Sequence, residues 1–158
     1  MRSLIIAAVL LAAGPALAAE NSNRVEAKAD AAKAWGLIGD FCGIKAWHPA
    51  IADCVLSEQD GAKIRTLTTK DGAKFVEKLV AWDDAGHSYT YEILQGPLPV
   101  EHYRSTLKVE EDDEPGKVAI TWSSTFDPKG VSETDARKAV ADVYLAGLLS
   151  LKKTLNGK

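Results

Sequence analysis

Between Val55 and Phe126 short β-rich runs alternate with turn signals so regularly that few architectures accommodate the chain. Val55–Glu58, Lys63–Thr69, Lys74–Trp82, His87–Leu94, His102–Glu110 and Val118–Phe126 are the runs. Gln59-Asp60-Gly61, Lys70-Asp71-Gly72, Asp83–Gly86, Gln95–Pro99 and Glu111–Gly116 separate them, each rich in the residues that reverse a chain. Pro97 and Pro99 keep the fourth of these out of any central strand. Six strands joined by tight connections make an antiparallel meander, and a meander with one apolar face needs a cover. Beyond Asp127–Gly130 the period changes. Val140, Val143, Tyr144, Gly147, Leu148, Leu151 and Leu155 recur at three and four residues, which predicts one long amphipathic helix capped by Ser132 and stopped at Gly157.

Upstream, Arg24–Lys28 predicts a short first strand. Asp30 caps a helix over Ala31–Ile38 that Gly39 ends, and Phe41–Ala52 is irregular or briefly helical. The fold class expected is α+β: a curved antiparallel seven-stranded sheet gripping the C-terminal helix, with two short helical segments after the first strand. Such a sheet leaves a cleft against its helix, where ligands bind.

The extreme N-terminus has its own pattern. Met1-Arg2-Ser3 is followed by the apolar run Leu4–Leu11 and by Ala16-Leu17-Ala18-Ala19. A positive tip, a short apolar segment and small residues at the end make a secretory signal. Residues 1–19 are expected to be removed, after Ala18 or Ala19, leaving residues 20–158 as one domain that is periplasmic or secreted. The alternative is a membrane anchor, but the run falls short of the ~20 residues a span requires. Without Arg2 the chain has 18 basic against 22 acidic residues. That balance argues against nucleic acid as a partner, which clustered Lys and Arg would serve. In an oxidising compartment Cys42 and Cys54 are expected to form a disulfide. The rival is a metal site built from Cys42, His48 and Cys54, for which no further strong ligand stands out. No catalytic triad spacing, Gly-rich phosphate loop or metal-ligand cluster stands out either, so no catalytic residue, cofactor or metal is assigned.

Three segments carry a family resemblance: Trp47-His48-Pro49-Ala50-Ile51-Ala52-Asp53-Cys54, Glu77-Lys78-Leu79, and His102-Tyr103-Arg104-Ser105. With the order of elements they resemble the helix-grip fold of the START / Bet v 1 superfamily, the SRPBCC or polyketide cyclase-like group, over Asn23–Asn156. Within it, the chain resembles the branch of the plant abscisic acid receptors. The resemblance implies that His48 stands where those receptors use a lysine for the ligand's carboxylate. It implies that Glu77, Tyr103 and Ser105 face a pocket, and that Lys70–Ala73 and Gly96–Val100 occupy the gate and latch positions. The receptors' own gate and latch motifs are absent, so hormone binding does not follow. Phe41-Cys42-Gly43-Ile44, Trp47-His48-Pro49 and Cys54 resemble exported bacterial proteins of the MxaD type, accessory to methanol oxidation. That likeness implies support of a periplasmic dehydrogenase and its cytochrome partner.

Strand alternation gives the site its expected lining. If Tyr103 and Ser105 face inward, so do Leu107 and Val109, while His102, Arg104, Thr106 and Lys108 face out. Glu77 then shares a face with Phe75 and Leu79 and needs a partner, because an unpaired buried charge is costly. His48 is the expected partner, with Tyr103 or Ser105 completing the bonding and Tyr89 and Tyr91 lining the same cavity. The plainer alternatives are a rim glutamate paired to a surface lysine and a helix-cap or packing role for His48. Trp35, Trp47, Trp82 and Trp122 are expected in the core. The readings, in order, are a binding module for a small hydrophobic or amphipathic ligand, an accessory protein, and a cyclase or dehydratase using a Glu–His pair.

Overall fold

The computed structural model describes residues 18–157, so the body of the expected signal segment lies outside the described residues. Strands β2 (Ile51–Gln59), β3 (Ala62–Thr69), β4 (Lys74–Asp83), β5 (Ser88–Gln95), β6 (Val100–Glu111) and β7 (Val118–Pro128) form the expected meander. Its first turn is a two-residue hairpin with Asp60 and Gly61 both at positive φ, 51° and 75°. That backbone matches strand twist and suits an Asp-Gly pair. Strand β1 (Ala19–Ala27) pairs antiparallel with β7, giving the order β1-β7-β6-β5-β4-β3-β2. Helices α1 (Ala31–Ile38) and α2 (Ile44–Trp47) follow β1, and α3 (Glu133–Leu155) covers the inner face.

Strands β1 and β2 begin well before their expected starts, and β3 and β6 begin at Ala62 and Val100, one and two residues early. Strand β1 reaches back to Ala19, which pairs with Phe126, although Asn21, Ser22 and Asn23 carry no strand preference. Pairing with β7 supplies what propensity lacks. Strand β2 starts at Ile51, and a register irregularity between Ile51 and Asp53 hides the alternation there.

The caps of α3 are as expected: Ser132 accepts from the Asp135 N–H, and Gly157 sits at φ 74° just beyond the Asn156 C-cap. Its buried stripe is Ala136, Val140, Tyr144, Gly147, Leu148, Leu151 and Leu155. Gly147 permits a close approach, since a Cβ there would stand 2.6 Å from His48 Cδ2 and 3.0 Å from the Trp47 and Trp122 rings. Asn156 Oδ1 accepts the Lys28 N–H at 2.8 Å and ties the helix end to the chain leaving β1. No helix among the described residues is long and apolar enough to cross a membrane.

Cys42, just before α2, is bonded to Cys54 on β2, with their Cα atoms 5.6 Å apart. Both sulfurs are thereby removed from the alternative metal site. The bond closes a short loop and holds the α1–α2 connection against the edge strand. Replacing both cysteines with serine is expected to lower the unfolding free energy by about 3 kcal/mol, measured as a fall in urea midpoint with a slope that stays equal or rises as the unfolded chain expands.

Candidate functional site

Arg65 on β3 and Glu77 on β4 are cross-strand partners, and both are buried. Arg65 Nε donates to Glu77 Oε2 at 2.5 Å, and Nη1 donates to the Phe41 carbonyl at 2.5 Å. The guanidinium carbon lies 4.1 Å from the Phe41 ring centre and 4.9 Å from that of Tyr91, within cation–π range. Glu77 therefore finds its partner in Arg65, and His48 is engaged elsewhere. Burial pushes the Glu77 carboxyl above its usual range and the guanidinium opposes that shift, while the Arg65 charge is held in turn by Glu77. Arg65 was discoverable: a hairpin centred on Asp71 sets residue 65 opposite residue 77. A buried arginine inside a strand otherwise reads as a solvent-facing residue.

His48 caps α2 and is 4 % exposed. Its Nδ1 accepts the Ala50 N–H at 3.2 Å, and its Nε2 donates to the Val143 carbonyl of α3 at 3.0 Å. An acceptor at Nδ1 and a donor at Nε2 describe the neutral ring. Burial lowers its pKa, with a smaller push in the same direction from Arg65, against the Val143 carbonyl. The ring stands edge-on to Trp122, with centroids 6.1 Å apart. His48 thus joins α2 to α3 and spends both nitrogens doing so.

The remaining expected residues converge on one hydroxyl cluster. Tyr144 of α3 stacks on Trp122 of β7 at 4.4 Å and 9°. Ser105 Oγ donates to the Ser123 carbonyl at 2.9 Å, so it accepts from the Tyr144 hydroxyl at 2.7 Å and from Trp122 Nε1 at 3.0 Å. With the Tyr144 proton committed, the short Tyr103–Tyr144 hydroxyl contact runs from Tyr103 as donor. Trp122 Nε1 also reaches the Tyr91 hydroxyl, at 3.1 Å. Tyr91 is an acceptor in that bond and Tyr103 a donor in its own, which leaves the Tyr91 proton and the Tyr103 lone pairs to interact with each other. Burial raises the Tyr144 pKa to about 12 and those of Tyr91 and Tyr103 well above the ordinary phenol, so all three remain protonated at neutral pH.

Tyr91 and Tyr103 line a cavity of about 30 Å³ between sheet and α3, with His48, Glu77, Phe75 and Leu98 also on its wall. That volume holds roughly two water molecules at 10–15 Å³ each. Leu98 belongs to the Gln95–Pro99 connection, so this loop forms part of the enclosure. Gly96 lets it pass close, because a Cβ there would meet Phe75 at 2.8 Å. Ser105 lies behind the lining and acts through Tyr144 and Trp122. The aromatic readings divide: Trp35, Trp47 and Trp122 are buried as expected, whereas Trp82 is 51 % exposed.

Two outcomes follow. Arg65→Met, which leaves Glu77 buried without its cation, is expected to cost about 3–5 kcal/mol; adding Glu77→Leu should recover most of that loss in urea unfolding. For His48, the unfolded ring takes its proton near its ordinary pKa of 6.5 while the folded ring resists it. The unfolded state therefore binds more protons in that window, and stability falls as pH drops below about 7. Exposed His102, whose pKa is raised by its hydrogen bond to Asp127, contributes with the opposite sign. The acid loss assigned to His48 is thus read as the difference between wild type and His48→Gln.

The solved structures with this architecture include the protein XoxI of Bacillus cereus, 32 % identical over 88 % of this chain and 96 % of that one, with a TM-score of 0.83. An uncharacterized protein of Bacillus thuringiensis is also 32 % identical, over 87 % of this chain and 98 % of that one, at a TM-score of 0.81. A Streptomyces aromatase/cyclase, 14 % identical over 86 % of this chain and 92 % of that one, shares the fold at a TM-score of 0.68. The family model for polyketide cyclase / dehydrase and lipid transport matches residues 18–156. With the helix-grip architecture and that match over the whole described domain, the chain belongs to the polyketide cyclase / dehydrase and lipid transport family.

Proposed function

We propose that the protein is an exported binding protein that takes a small amphipathic molecule between its sheet and α3. The observation that carries this reading is the pair of hydroxyls on an otherwise largely apolar wall: the Tyr91 proton and the Tyr103 lone pairs are left to each other, so a guest's polar group is received between them. A guest's carbonyl accepts from the first, and a guest's hydroxyl donates to the second. His48 is neutral and fully bonded, and Glu77 stands on the same wall, which disfavours a carboxylate guest. The ligand class is therefore a neutral carbonyl or hydroxyl compound, with apolar contact supplying most of the affinity. A guest larger than a few atoms enters by displacing Leu98 and the loop that bears it.

The accessory role beside a periplasmic dehydrogenase and cytochrome is a second reading, carried by the MxaD-type resemblance and by the disulfide that joins Cys42 to Cys54 within that segment. It would use the surface rather than the cavity. Catalysis is the weakest of the three readings, because Glu77 and His48 are each committed to a structural bond.

The test is expression from the full gene, N-terminal sequencing, native mass spectrometry and a thermal-shift panel of neutral lipids, sterols, quinones and matched acids. Expected are a mature start at Ala19 or Glu20 and a retained or stabilising neutral ligand. Tyr103→Phe should weaken binding by roughly 5–10-fold, the value of one hydrogen bond. No retained ligand and no shift across the panel would overturn the binding reading.

A further inference from the structure

Beside Phe41, whose ring also stacks on the Arg65 guanidinium, lies an open groove of about 430 Å³, lined by Trp35, Trp82, Phe41, Asp40, Asp84 and Lys63 among others. Its aromatic surfaces are fixed in place. Trp35 Nε1 donates to Asp84 Oδ1 at 2.7 Å, and Trp82 Nε1 donates to the Gly39 carbonyl at 3.0 Å. The two indoles lie 6.0 Å apart, and Trp82 keeps half its surface in solvent. Gly39 makes this packing possible, since a Cβ there would stand 2.7 Å from Trp35. Gly36, also on the groove wall, has no such reason: a Cβ there meets nothing within 4 Å. A glycine inside α1 weakens the helix, and at this position its effect is to leave the groove open.

We propose that this groove docks a partner protein through a single lysine or arginine side chain. An indole face beside carboxylates attracts an organic cation. Asp40 and Asp84 supply the carboxylates, and each spends Oδ1 on holding the local structure, on the Cys42 N–H and on Trp35. The chain's formal charge of −3 favours a basic partner at longer range. Asp40 and Asp84 set against Lys63 leave the groove wall one net negative charge, so the fit is to one basic side chain within a neutral segment rather than to a polybasic run. The groove is open and much larger than one ammonium group, which suits a chain segment better than a free ion. This inference does not rest on the cavity reading.

The test follows the indole N–H signals of Trp35 and Trp82 by NMR in the intact mature protein. The probes are acetylated and amidated Ala-Arg-Ala, Ala-Lys-Ala and Ala-citrulline-Ala peptides, with tetramethylammonium as the free cation. Saturable shifts with the arginine and lysine peptides are expected, at least about 10-fold weaker for the isosteric but neutral citrulline peptide. Asp40→Asn with Asp84→Asn keeps both Oδ1 acceptors and should weaken binding by roughly 10-fold, an effect that added salt reduces. Gly36→Leu should fill the groove and abolish the shifts while leaving the melting curve cooperative. Equal binding of the citrulline peptide, or no shift with any peptide, overturns the proposal. Saturation by tetramethylammonium without response to the peptides also overturns it, by making the groove a small-cation site.

Discussion

Arg65 and Glu77 face one another across β3 and β4 in the middle of an inner surface that is otherwise aromatic and aliphatic. Taking both charges out of water is expensive, and their attraction repays it only with close geometry and further bonds. The chain supplies these through the Phe41 carbonyl and the Phe41 and Tyr91 rings. A well-packed apolar pair would serve stability as well, so the ion pair is best understood by what it positions. Phe41 belongs to the connection between α1 and α2, and the bond to its carbonyl draws that connection onto the sheet. The neighbouring residue, Cys42, is anchored to β2 by the disulfide. Two adjacent residues are thus held by two unrelated interactions, one to β3 and one to the edge strand.

The position of α3 depends on a second set of contacts at the other side of the same connection. His48 reaches the Val143 carbonyl, and Gly147 lets Trp47, His48 and Trp122 come up against the helix. Tyr144 then stacks on Trp122 and enters the hydroxyl cluster. The cavity is small for this reason. The aromatic side chains that would contact a guest are the same ones that fasten the helix, so enlarging the space by moving α3 would break several bonds at once. Opening through the Gln95–Pro99 loop would disturb none of them, which is why the proposed entry is at Leu98.

What was legible in the sequence follows from the range of each interaction. The meander could be read because turn residues and alternation are local signals, and α3 because its period runs for six turns. The inward set of Tyr103, Ser105, Leu107 and Val109 followed from strand parity once the resemblance turned Tyr103 and Ser105 toward the pocket. Strand β1 was cut short because Asn21, Ser22 and Asn23 become strand only by pairing with residues a hundred positions away. Arg65 was missed because an arginine is read as solvent-facing until its cross-strand neighbour is known. The expected Glu77–His48 pairing failed for a related reason. Glu77 did need a partner, but the nearest candidate in chemistry lay on the next strand rather than in the loop that the resemblance highlighted.

Trp82 shows why residue type alone cannot separate core from surface. The irregularity between Leu79 and Ala81 shifts the alternation and sets Trp82 opposite Tyr89, on the face that carries Leu79 and Tyr91, yet beside Trp35 of α1 half of the indole stays in solvent. Its N–H is satisfied by Gly39, so exposure costs no buried donor. Two recesses thus lie along one face of the sheet. Glu77 forms part of the enclosed cavity and Phe41 part of the open groove, with Arg65 bonded to both. A guest that displaced Glu77 would loosen the hold on the Phe41 carbonyl, and with it the groove. The Phe41 ring also meets that of Tyr91, with centroids 6.4 Å apart, so the guanidinium and this aromatic contact together join the walls of the two recesses.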